Sequence, residues 1–389
     1  MPTITDSRMD VVVNGDAQER GMAQGVALRE KVHGAPAILA GLYGFRALQP
    51  SWLPYVAYRR IAEGRAMSLL EPALKRDSPE AWLHMSGIAQ GAQVTLRLLC
   101  LLHALEPMLS DVCRCSATPA LGACSAVAVR GTRSALGEPV IARNFDYLKD
   151  VQPLYCVRES RPKGGFRSLD FTLGPFAGTV DGVNERGLCI TYDYAYSNDY
   201  RGDGAAPISL VIAEALQRCA TVKEAAEWIR SRPRWGGGIL MLADAEGDLA
   251  SLELSNTRSA IRRPASGSDV LCHTNAFTTD SMRGVEIPAD ARYTDRVHPL
   301  LRGRRVHESA NVRDRRLQEL LSREEPLDLA GLAAIMSDHE TGGAPGDTGI
   351  CKHSEYWSTT ASVQLLPVSR RMRIAFDSAC HANYVELAL

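Results

Sequence analysis

The 389-residue sequence is poor in aromatic side chains and has no excess of charge of either sign. Phenylalanine, tryptophan and tyrosine together make up 6% of it, and 44 basic residues face 45 acidic ones. A net charge of −1 gives no reason to expect a nucleic acid or a membrane surface as a partner. No apolar run approaches the roughly 20 residues that cross a bilayer. Residues 1–16 also lack the basic segment and apolar run of a secretory signal. We therefore expect a cytoplasmic protein without nucleic-acid or membrane partners.

The ten cysteines are scattered along the chain, with no short disulfide framework among them. In a cytosolic protein such cysteines stay reduced. Two groups combine cysteine with histidine: Cys100, His103, Cys113 and Cys115 in the first, and Cys351 with His353 in the second. Zinc sites usually contain two pairs at C-x₂-C or longer spacing, which neither group shows. We predict no metal and no cofactor, and keep metal binding or a scaffold role for the first group as an alternative to catalysis.

Arginines are concentrated in residues 302–305 and 313–316. Acidic residues, among them Glu308, Asp314 and Glu319, are interleaved with them. Charges of alternating sign are typical of a solvated helix face. We therefore interpret this cluster as an exposed face rather than a binding patch.

The character of the chain changes at Cys124. Before it, a short strand precedes a helix-rich region, whose last helix carries leucines around most of its surface and should be buried. Pro107 is expected to end that helix. After Cys124, short apolar strands separated by turns alternate with two pairs of helices. The predicted strands are 125–129, 140–143, 154–159, 167–173, 178–180, 188–194, 239–243, 250–254, 259–263, 270–273, 359–367 and 372–376.

Strands and helices in separate blocks predict an α+β fold, in which antiparallel sheets lie between helical layers. A doubly wound parallel sheet would alternate strand and helix more regularly. We divide the chain into an N-terminal helix-rich segment, residues 1–123, and a core, residues 124–389.

Cys124 stands at the start of an apolar strand, and the next strand contains Arg143 and Asp146. The turn-rich residues 130–139 separate the two strands, so a hairpin would return Arg143 and Asp146 towards the cysteine. A neighbouring cation favours the thiolate over the thiol, and the thiolate is the nucleophilic form. The sequence therefore predicts that Cys124 is a nucleophile.

Small residues and a side-chain amide support this interpretation. Gly122, Ala123 and Ser125 flank the cysteine and leave room for a reacting carbonyl. Asn275 follows a predicted strand, where its amide can donate a hydrogen bond to a developing oxyanion. An asparagine at a strand end is equally suited to a turn or a cap, so this role depends on the other residues.

Eight short segments, distributed over almost the whole chain, occur in the order found in one family. They are residues 14–25 (NGDAQERGMAQG), 86–92 (SGIAQGA), 122–125 (GACS), 142–147 (ARNFDY), 183–188 (VNERGL), 273–275 (HTN), 291–293 (ARY) and 350–353 (ICKH). Each segment alone is weak, but eight in family order are specific. The chain resembles the acyl-coenzyme A:6-aminopenicillanate acyltransferase family, an autoproteolytic branch of the N-terminal-nucleophile hydrolases.

The resemblance implies an N-terminal-nucleophile αββα sandwich that cuts its own Ala123–Cys124 peptide bond. Residues 1–123 and 124–389 would then form two chains that associate with each other. The new α-amine of Cys124 would act as the general base for its own thiol. Arg143 would favour the thiolate, and Asp146 would orient the amine and hold its charge.

Two positions, Ala123 and Ala276, depart from the family pattern. Two further residues, Tyr194 and Arg292, are candidates for a role in the site. Ala123 replaces the usual glycine before the nucleophile, and its Cβ predicts a slower acyl shift. Ala276 replaces the histidine that usually follows Asn275. Tyr194 falls where the related bile-salt hydrolases carry an oxyanion-hole asparagine, so its hydroxyl is a candidate donor. Arg292 is a candidate second cation, for a substrate carboxylate or for Asp146, with a surface arginine as the alternative.

The expected activity is that of an amidase or acyltransferase that works through an acyl thioester on Cys124. A small-molecule acyl compound, an amide or an acyl-coenzyme A, is the expected substrate. One alternative is a papain-like thiol hydrolase without self-cleavage, in which His273, His339 or His353 serves as the base.

Overall fold

The computed structural model describes residues 9–116, 122–295, 297–339 and 345–389, with residues 112–116 described by their backbone alone. Within these ranges most strands belong to two sheets. Sheet A has the spatial order β1 (Val11–Gly15), β4 (Tyr155–Pro162), β5 (Ser168–Leu173), β6 (Asp181–Asn184), β7 (Cys189–Tyr194), β10 (Gly238–Ala243), β11 (Leu249–Leu254) and β12 (Ser259–Arg262). Sheet B has the order β13 (Val270–His273), β2 (Ser125–Val129), β3 (Val140–Tyr147), β14 (Ser358–Leu366), β15 (Arg371–Ala375) and β16 (Val385–Ala388). A short ribbon pairs β8 (Ala206–Pro207) with β9 (Arg234–Trp235).

Ten α-helices occur in the described ranges. They are α1 (Ala17–Ala27), α2 (Arg29–Gly41), α3 (Tyr43–Arg46), α4 (Tyr55–Asp77), α5 (Pro79–Ala92), α6 (Leu96–Ser116), α7 (Ile208–Arg218), α8 (Val222–Ser231), α9 (Glu308–Leu321) and α10 (Leu329–Met336). Single 3₁₀ segments lie at Lys149–Leu154, Asp280–Val285, Pro299–Leu301 and Ala379–His381.

The strands and helices form four layers. Helices α7 and α8 pack on the outer face of sheet A, α9 and α10 pack on the outer face of sheet B, and the inner faces of the sheets contact each other. Side chains of a strand alternate between its faces. In β2, Val127 and Val129 accordingly join the apolar cluster under α9 and α10, whereas Ala126 and Ala128 join the core between the sheets. The layers confirm the predicted α+β sandwich.

Sheet B is antiparallel throughout, and sheet A is antiparallel except for the pair of β1 with β4. Since β1 belongs to the N-terminal segment and β4 to the core, the sheet crosses the predicted boundary at Cys124. The separation of the chain into two units at this boundary stays a prediction.

Helices α1 and α5 touch backbone to backbone. Each carries two glycines four residues apart: Gly21 and Gly25 in α1, Gly87 and Gly91 in α5. A Cβ on any of these four glycines would collide with backbone atoms of the facing helix. Glycine is needed here because of this close approach, which gives a structural reason for the segments 14–25 and 86–92.

Most predicted elements are present, and two predictions are wrong. Helix α6 continues through Pro107 to Ser116. Its leucines from Leu98 onwards are buried as expected, with Leu99 and Leu101 fully enclosed, whereas Leu96 is half-buried. Burial of this apolar surface outweighs the roughly 3 kcal/mol that an interior proline costs. The strand predicted at 178–180 lies instead at β6, where Asn184 bonds the turn that follows it. No helix in the described ranges is both long enough and apolar enough to span a membrane.

Candidate active site

The hairpin of β2 and β3 brings Arg143 to Cys124. In its register Ser125 lies opposite Asn144 and Ala126 opposite Arg143. Cys124 and Arg143 therefore point into the space between the sheets. The Arg143 Nη2 lies 3.0 Å from the Cys124 Sγ.

Arg143 is held by polar groups of sheet A and by the ring of Phe145. Its Nε donates to Asp193 at 2.9 Å and its Nη1 donates to Asp181 at 3.0 Å. The Tyr192 carbonyl accepts from Nη2, and the Phe145 ring centre lies 4.6 Å from the guanidinium carbon. All three charged side chains of this group are fully buried. A guanidinium with so many partners has one orientation, so its position at the sulfur is fixed.

The sulfur of Cys124 is enclosed in the intact chain, since the residue is only 1% exposed. Its second polar neighbour is the Asp146 carbonyl oxygen, 3.9 Å away. Burial raises the pKa of the Cys124 thiol, and the charge of Arg143 opposes this shift without cancelling it. Burial therefore favours the protonated thiol of Cys124 and shields its sulfur from solvent.

Asp146 meets the cysteine through its backbone, and its carboxylate points to the other face of sheet B. The Asp146 carbonyl accepts from the Ala123 N–H at 3.1 Å. Its Oδ1 accepts from the Thr359 hydroxyl at 2.7 Å, whereas its Oδ2 is buried without a hydrogen-bond partner in the described part of the chain. Burial raises the pKa of Asp146 to about 6 against the opposing charges of Arg313 and Lys352. Of the two predicted neighbours, Arg143 contacts the sulfur by its side chain and Asp146 by its carbonyl.

Arg313, on α9, joins the cysteine to Asn275. Its Nη1 donates to the Cys124 carbonyl and, at 2.8 Å, to the Ser125 hydroxyl, while its Nη2 donates to the Asn275 Oδ1 at 2.8 Å. The residue is 1% exposed. The prediction that residues 313–316 are a solvated face is therefore wrong for Arg313, because this position of α9 faces the buried end of β2.

The structure places Asn275 and Tyr194 side by side near the cysteine. The Asn275 Nδ2 donates to the Tyr194 carbonyl at 2.7 Å. An amide nitrogen has two N–H groups, so this bond uses one of them. The Tyr194 hydroxyl lies 2.7 Å from the Ser110 hydroxyl of α6, and a Cβ added to Gly122 would lie 3.7 Å from the Tyr194 Cβ. The oxyanion role of both residues stays a prediction.

Arg292 is exposed and its Nη1 donates to the Gly303 carbonyl at 2.6 Å. It does not line either cavity described below. The structure thus brings five of the six candidate residues together and places Arg292 elsewhere.

Each histidine of the papain-like alternative has a polar neighbour other than the Cys124 sulfur. His273 lies between the Ser251 hydroxyl, 2.9 Å from its Nδ1, and Asp193, 3.4 Å from its Nε2. His339 and His353 contact each other at 3.2 Å. In the first cysteine–histidine group, both ring nitrogens of His103 are engaged, one with the Leu99 carbonyl and one with the Ala177 N–H. The side chains of Cys113 and Cys115 lie outside the described residues.

Four residues of the site were not predicted from the sequence: Asp181, Asp193, Arg313 and Lys352. The aspartates carry a recognisable signal, because each is a charged residue within a buried strand and must be paired there. Lys352 is 1% exposed and donates to the Ser309 hydroxyl at 2.7 Å. Burial lowers the pKa of Lys352 to about 7, with a further contribution from Arg313.

Two cavities adjoin the site. An apolar cavity lies between α2, α6 and the sheets, and its walls include Leu39, Leu42, Leu102, Phe145, Tyr192 and Glu106. A polar cleft begins at the backbone of Gly122 and Ala123, and its charged lining consists of Arg304, Arg305, Arg313, Lys352 and Asp347. Phe145 and Tyr192 line the apolar cavity and also contact Arg143.

The profile of one protein family matches residues 134–379, nearly two thirds of the chain. Its description is acyl-coenzyme A:6-aminopenicillanic acid acyl-transferase. The chain belongs to this family. Membership confirms the resemblance inferred from the short segments and the class of enzyme, an amidohydrolase or acyltransferase.

No curated protein matches the chain, but solved structures do. A Caenorhabditis elegans ortholog of N-acylethanolamine-hydrolyzing acid amidase has 14% identity and a TM-score of 0.44, covering 68% of this chain and 99% of its own. Penicillin V acylase from Agrobacterium tumefaciens has 19% identity and a TM-score of 0.41, covering 68% and 86%. A mutant of the conjugated bile acid hydrolase from Clostridium perfringens has 14% identity and a TM-score of 0.38, covering 68% and 97%.

Proposed function

We propose that this family member is an amidase or acyltransferase whose nucleophile is Cys124, and that the chain first cuts its own Ala123–Cys124 bond. The observation that carries the proposal is the 3.0 Å contact between the Cys124 sulfur and the Arg143 guanidinium. An adjacent cation stabilises a thiolate relative to a thiol. Since Asp181 and Asp193 fix the guanidinium, this stabilisation needs no rearrangement when the thiolate forms.

Self-cleavage proceeds in two steps, an N-to-S acyl shift and hydrolysis of the resulting thioester. The Cys124 sulfur attacks the Ala123 carbonyl carbon, the peptide C–N bond breaks, and the proton of the thiol ends on the Cys124 nitrogen. Water then attacks the thioester carbon, which releases the Ala123 carboxylate and returns the thiol. The enclosed sulfur, whose pKa is raised by burial, supports a precursor that is inactive towards external substrates before the cut.

The cut would give Cys124 a free amine, and the proposed partner of its charged form is Asp146, whose carbonyl already contacts the Ala123 N–H and the Cys124 sulfur. The amine must then reach the carboxylate at the outer face of sheet B. The Asp146 Oδ2 is buried without a partner in the described part of the chain, and an ammonium would supply the missing hydrogen bond. In the neutral form the amine accepts the thiol proton, since its reference pKa is about 8. Substrate attack then forms an acyl thioester on Cys124, with Asn275 donating to the oxyanion.

The two chains produced by the cut are expected to remain together. Strand β1 pairs with β4 along five residue pairs, and the leucines of α2, α4 and α6 belong to the same apolar core as the sheets. Separating residues 1–123 from 124–389 would expose this core to water. The pair should dissociate only when the fold is lost.

The two cavities indicate the substrate class. The apolar cavity beside Phe145 suits an apolar acyl group. The lining of the polar cleft beside Ala123 contains four basic side chains and one carboxylate. This excess of basic groups suits an anionic group on the other side of the reacting carbonyl. We propose an acyl compound with an apolar acyl part and a carboxylate or another anion on the leaving or accepting part.

Cleavage is tested with the full chain, the Cys124→Ala variant and a Cys272→Ala control. Cys272 is another buried cysteine of sheet B, outside the site. On a denaturing gel the wild type and the control should give two chains, the second beginning with Cys124 and Ser125. Cys124→Ala should stay intact and inactive; a processed, active variant would show that the nucleophile is another residue. If the wild-type chain stays intact but its activity still requires Cys124, then only the role of the α-amine as base is disproved. The nucleophile assignment would stand.

Substrate class is tested by comparing an N-acyl amino acid with the matching acyl amide that lacks the carboxylate. The carboxylate compound should have the lower KM, and the difference should shrink as salt screens the cleft. Arg305→Gln, in the cleft lining, should raise its KM, whereas Arg302→Gln, an exposed neighbour outside the lining, should not. Equal KM values for both compounds would refute the anionic assignment and leave the nucleophile assignment intact.

A further inference from the structure

The structure brings two cysteines and two histidines together on the α9 and α10 side of sheet B. They are His339, Cys351, His353 and Cys380. His339 lies three residues beyond α10, Cys351 and His353 lie in the loop before β14, and Cys380 lies in the 3₁₀ segment Ala379–His381. One ligand atom from each residue lies within 4.8 Å of all the others.

The three distances to the His353 ring nitrogen are close to those in a tetrahedral zinc site. The His353 Nε2 lies 3.2 Å from the His339 Nε2 and 3.3 Å from the sulfurs of Cys351 and Cys380. With zinc–nitrogen and zinc–sulfur bonds near 2.0 and 2.3 Å, tetrahedral neighbours lie about 3.3 to 3.8 Å apart. The three distances to the His353 Nε2 are of this size, and the other distances among the four atoms are at most 4.8 Å, so small side-chain adjustments would bring all four to bonding distance of one ion.

Hydrogen bonding alone does not account for the cluster. A ring nitrogen carries either one hydrogen or one lone pair, directed in the ring plane. The His353 Nε2 therefore satisfies one polar neighbour, yet it has three within 3.3 Å. A metal ion at the centre would satisfy all four groups at once, because each ligand would then direct its lone pair at the ion.

We propose that His339, Cys351, His353 and Cys380 bind one structural zinc ion. Binding releases two protons as the two thiols become thiolates, and the two neutral imidazoles supply the other bonds. Four protein ligands close the coordination sphere, which is typical of structural rather than catalytic zinc. From the sequence alone we predict no metal at Cys351 and His353, because the pair lacks a second pair nearby in the sequence. The proposed partners, His339 and Cys380, lie on either side of their loop.

The ion would connect three separate segments at the edge of the active site. Lys352 stands between two of the ligands, and its Nζ reaches the Ser309 hydroxyl and the Asp347 carbonyl in the polar cleft. The Cys351 N–H donates to the Asp338 carbonyl at 3.0 Å, so the loop already has one backbone anchor. The His353 N–H also donates to the Gly346 carbonyl at 2.7 Å, and the Thr359 N–H donates to the Lys352 carbonyl at 2.9 Å. The zinc would add a further anchor on either side of Lys352.

The test uses full-length protein purified without a histidine tag after growth with added zinc. Elemental analysis should find about one zinc per chain. Chelated, reduced protein titrated with Co²⁺ should develop thiolate-to-cobalt charge-transfer bands and the intense visible bands of tetrahedral cobalt, saturating at one equivalent. Cys380→Ser and His353→Ala should lose the metal, and chelation should lower the Tm of the wild type only.

The matched control is His381→Ala, because the His381 ring lies 6.4 Å from that of His353 and is not one of the four ligands. It should keep both the zinc and the cobalt bands. The proposal is overturned if the reduced wild type develops no such bands, if Cys380→Ser retains a full equivalent of zinc, or if mass spectrometry finds Cys351 and Cys380 joined as a disulfide. The cobalt titration decides the question even where a ligand variant does not fold.

Discussion

Replacing Glu106 by Gln should change how stability depends on pH. Glu106 is a partly exposed residue in the wall of the apolar cavity, and its carboxylate accepts a hydrogen bond from the Tyr192 hydroxyl. Burial raises its pKa from 4.5 to about 7, and the bond from Tyr192 and the charge of Arg143 only partly oppose the shift. Glutamine keeps an acceptor oxygen for Tyr192 but does not titrate.

The direction of the change in stability with pH follows from the number of protons bound in the folded and unfolded states. Between about pH 4.5 and 7 the folded chain binds more protons at Glu106 than the unfolded chain does, so this residue lowers the stability as pH rises through that window. Two and a half pKa units correspond to about 2.5 kcal/mol between pH 5 and pH 8. Solvent screening of this partly exposed side chain reduces the figure, so we expect Glu106→Gln to gain about 2 kcal/mol over the parent on going from pH 5 to pH 8.

Urea unfolding at the two pH values measures the effect, in a Cys124→Ala background so that the chain is not cut. Glu227→Gln, an exposed acid on α8, is the control and should not change the pH dependence. If Glu106→Gln and the parent respond to pH alike, within about 0.5 kcal/mol, then the carboxylate is not held in an unfavourable environment and the reasoning is refuted.

Three other substitutions test separate parts of the structure. Arg143→Lys should lower the free energy of unfolding by about 3 kcal/mol in the uncut background, because an ammonium cannot pair with both buried carboxylates; unfolding curves that match the parent would contradict the assigned network. Gly87→Ala should destabilise strongly because its Cβ meets the backbone of α1, whereas Gly64→Ala, with open space around it on α4, should gain up to about 1 kcal/mol; thermal melts of the two variants decide this. Asn275→Ala should reduce kcat about 100-fold or more with little change in KM if its amide donates to the oxyanion, and an unchanged kcat would exclude that role.

The layers of the fold could be predicted from the sequence because strands and helices occur in separate blocks with clear turns. Pro107 shows the limit of local rules: a residue that usually ends a helix is tolerated where the surrounding helix is buried. The strand predicted at 178–180 lies a few residues later, at β6. Asn184 is typical of a turn, so the sequence predicts that the strand ends before it. In the structure Asn184 is the last residue of β6 and bonds the turn from there.

The site could be predicted only in part. Arg143 and Asp146 are three residues apart in one strand, and side chains alternate between faces. Strand alternation therefore puts their side chains on opposite faces of sheet B, so only Arg143 can reach the sulfur with its side chain. The contact of Arg313 with Cys124 could not be predicted from the sequence, because it depends on how α9 packs against β2. The two residues are nearly 190 positions apart in the chain. The Cys and His cluster was hidden for the same reason, since its ligands come from three separate segments.

Arg143 belongs to sheet B, yet both of its carboxylate partners belong to sheet A. The cation at the sulfur is therefore in place only after the two sheets have docked. A precursor that collapses with its sheets misaligned would have neither an oriented guanidinium nor a promoted thiol. If the chain does cut itself at Cys124, the cut would be a permanent record that the two halves of the sandwich met in the right register, and the uncut fraction of a preparation would count the molecules that failed to do so.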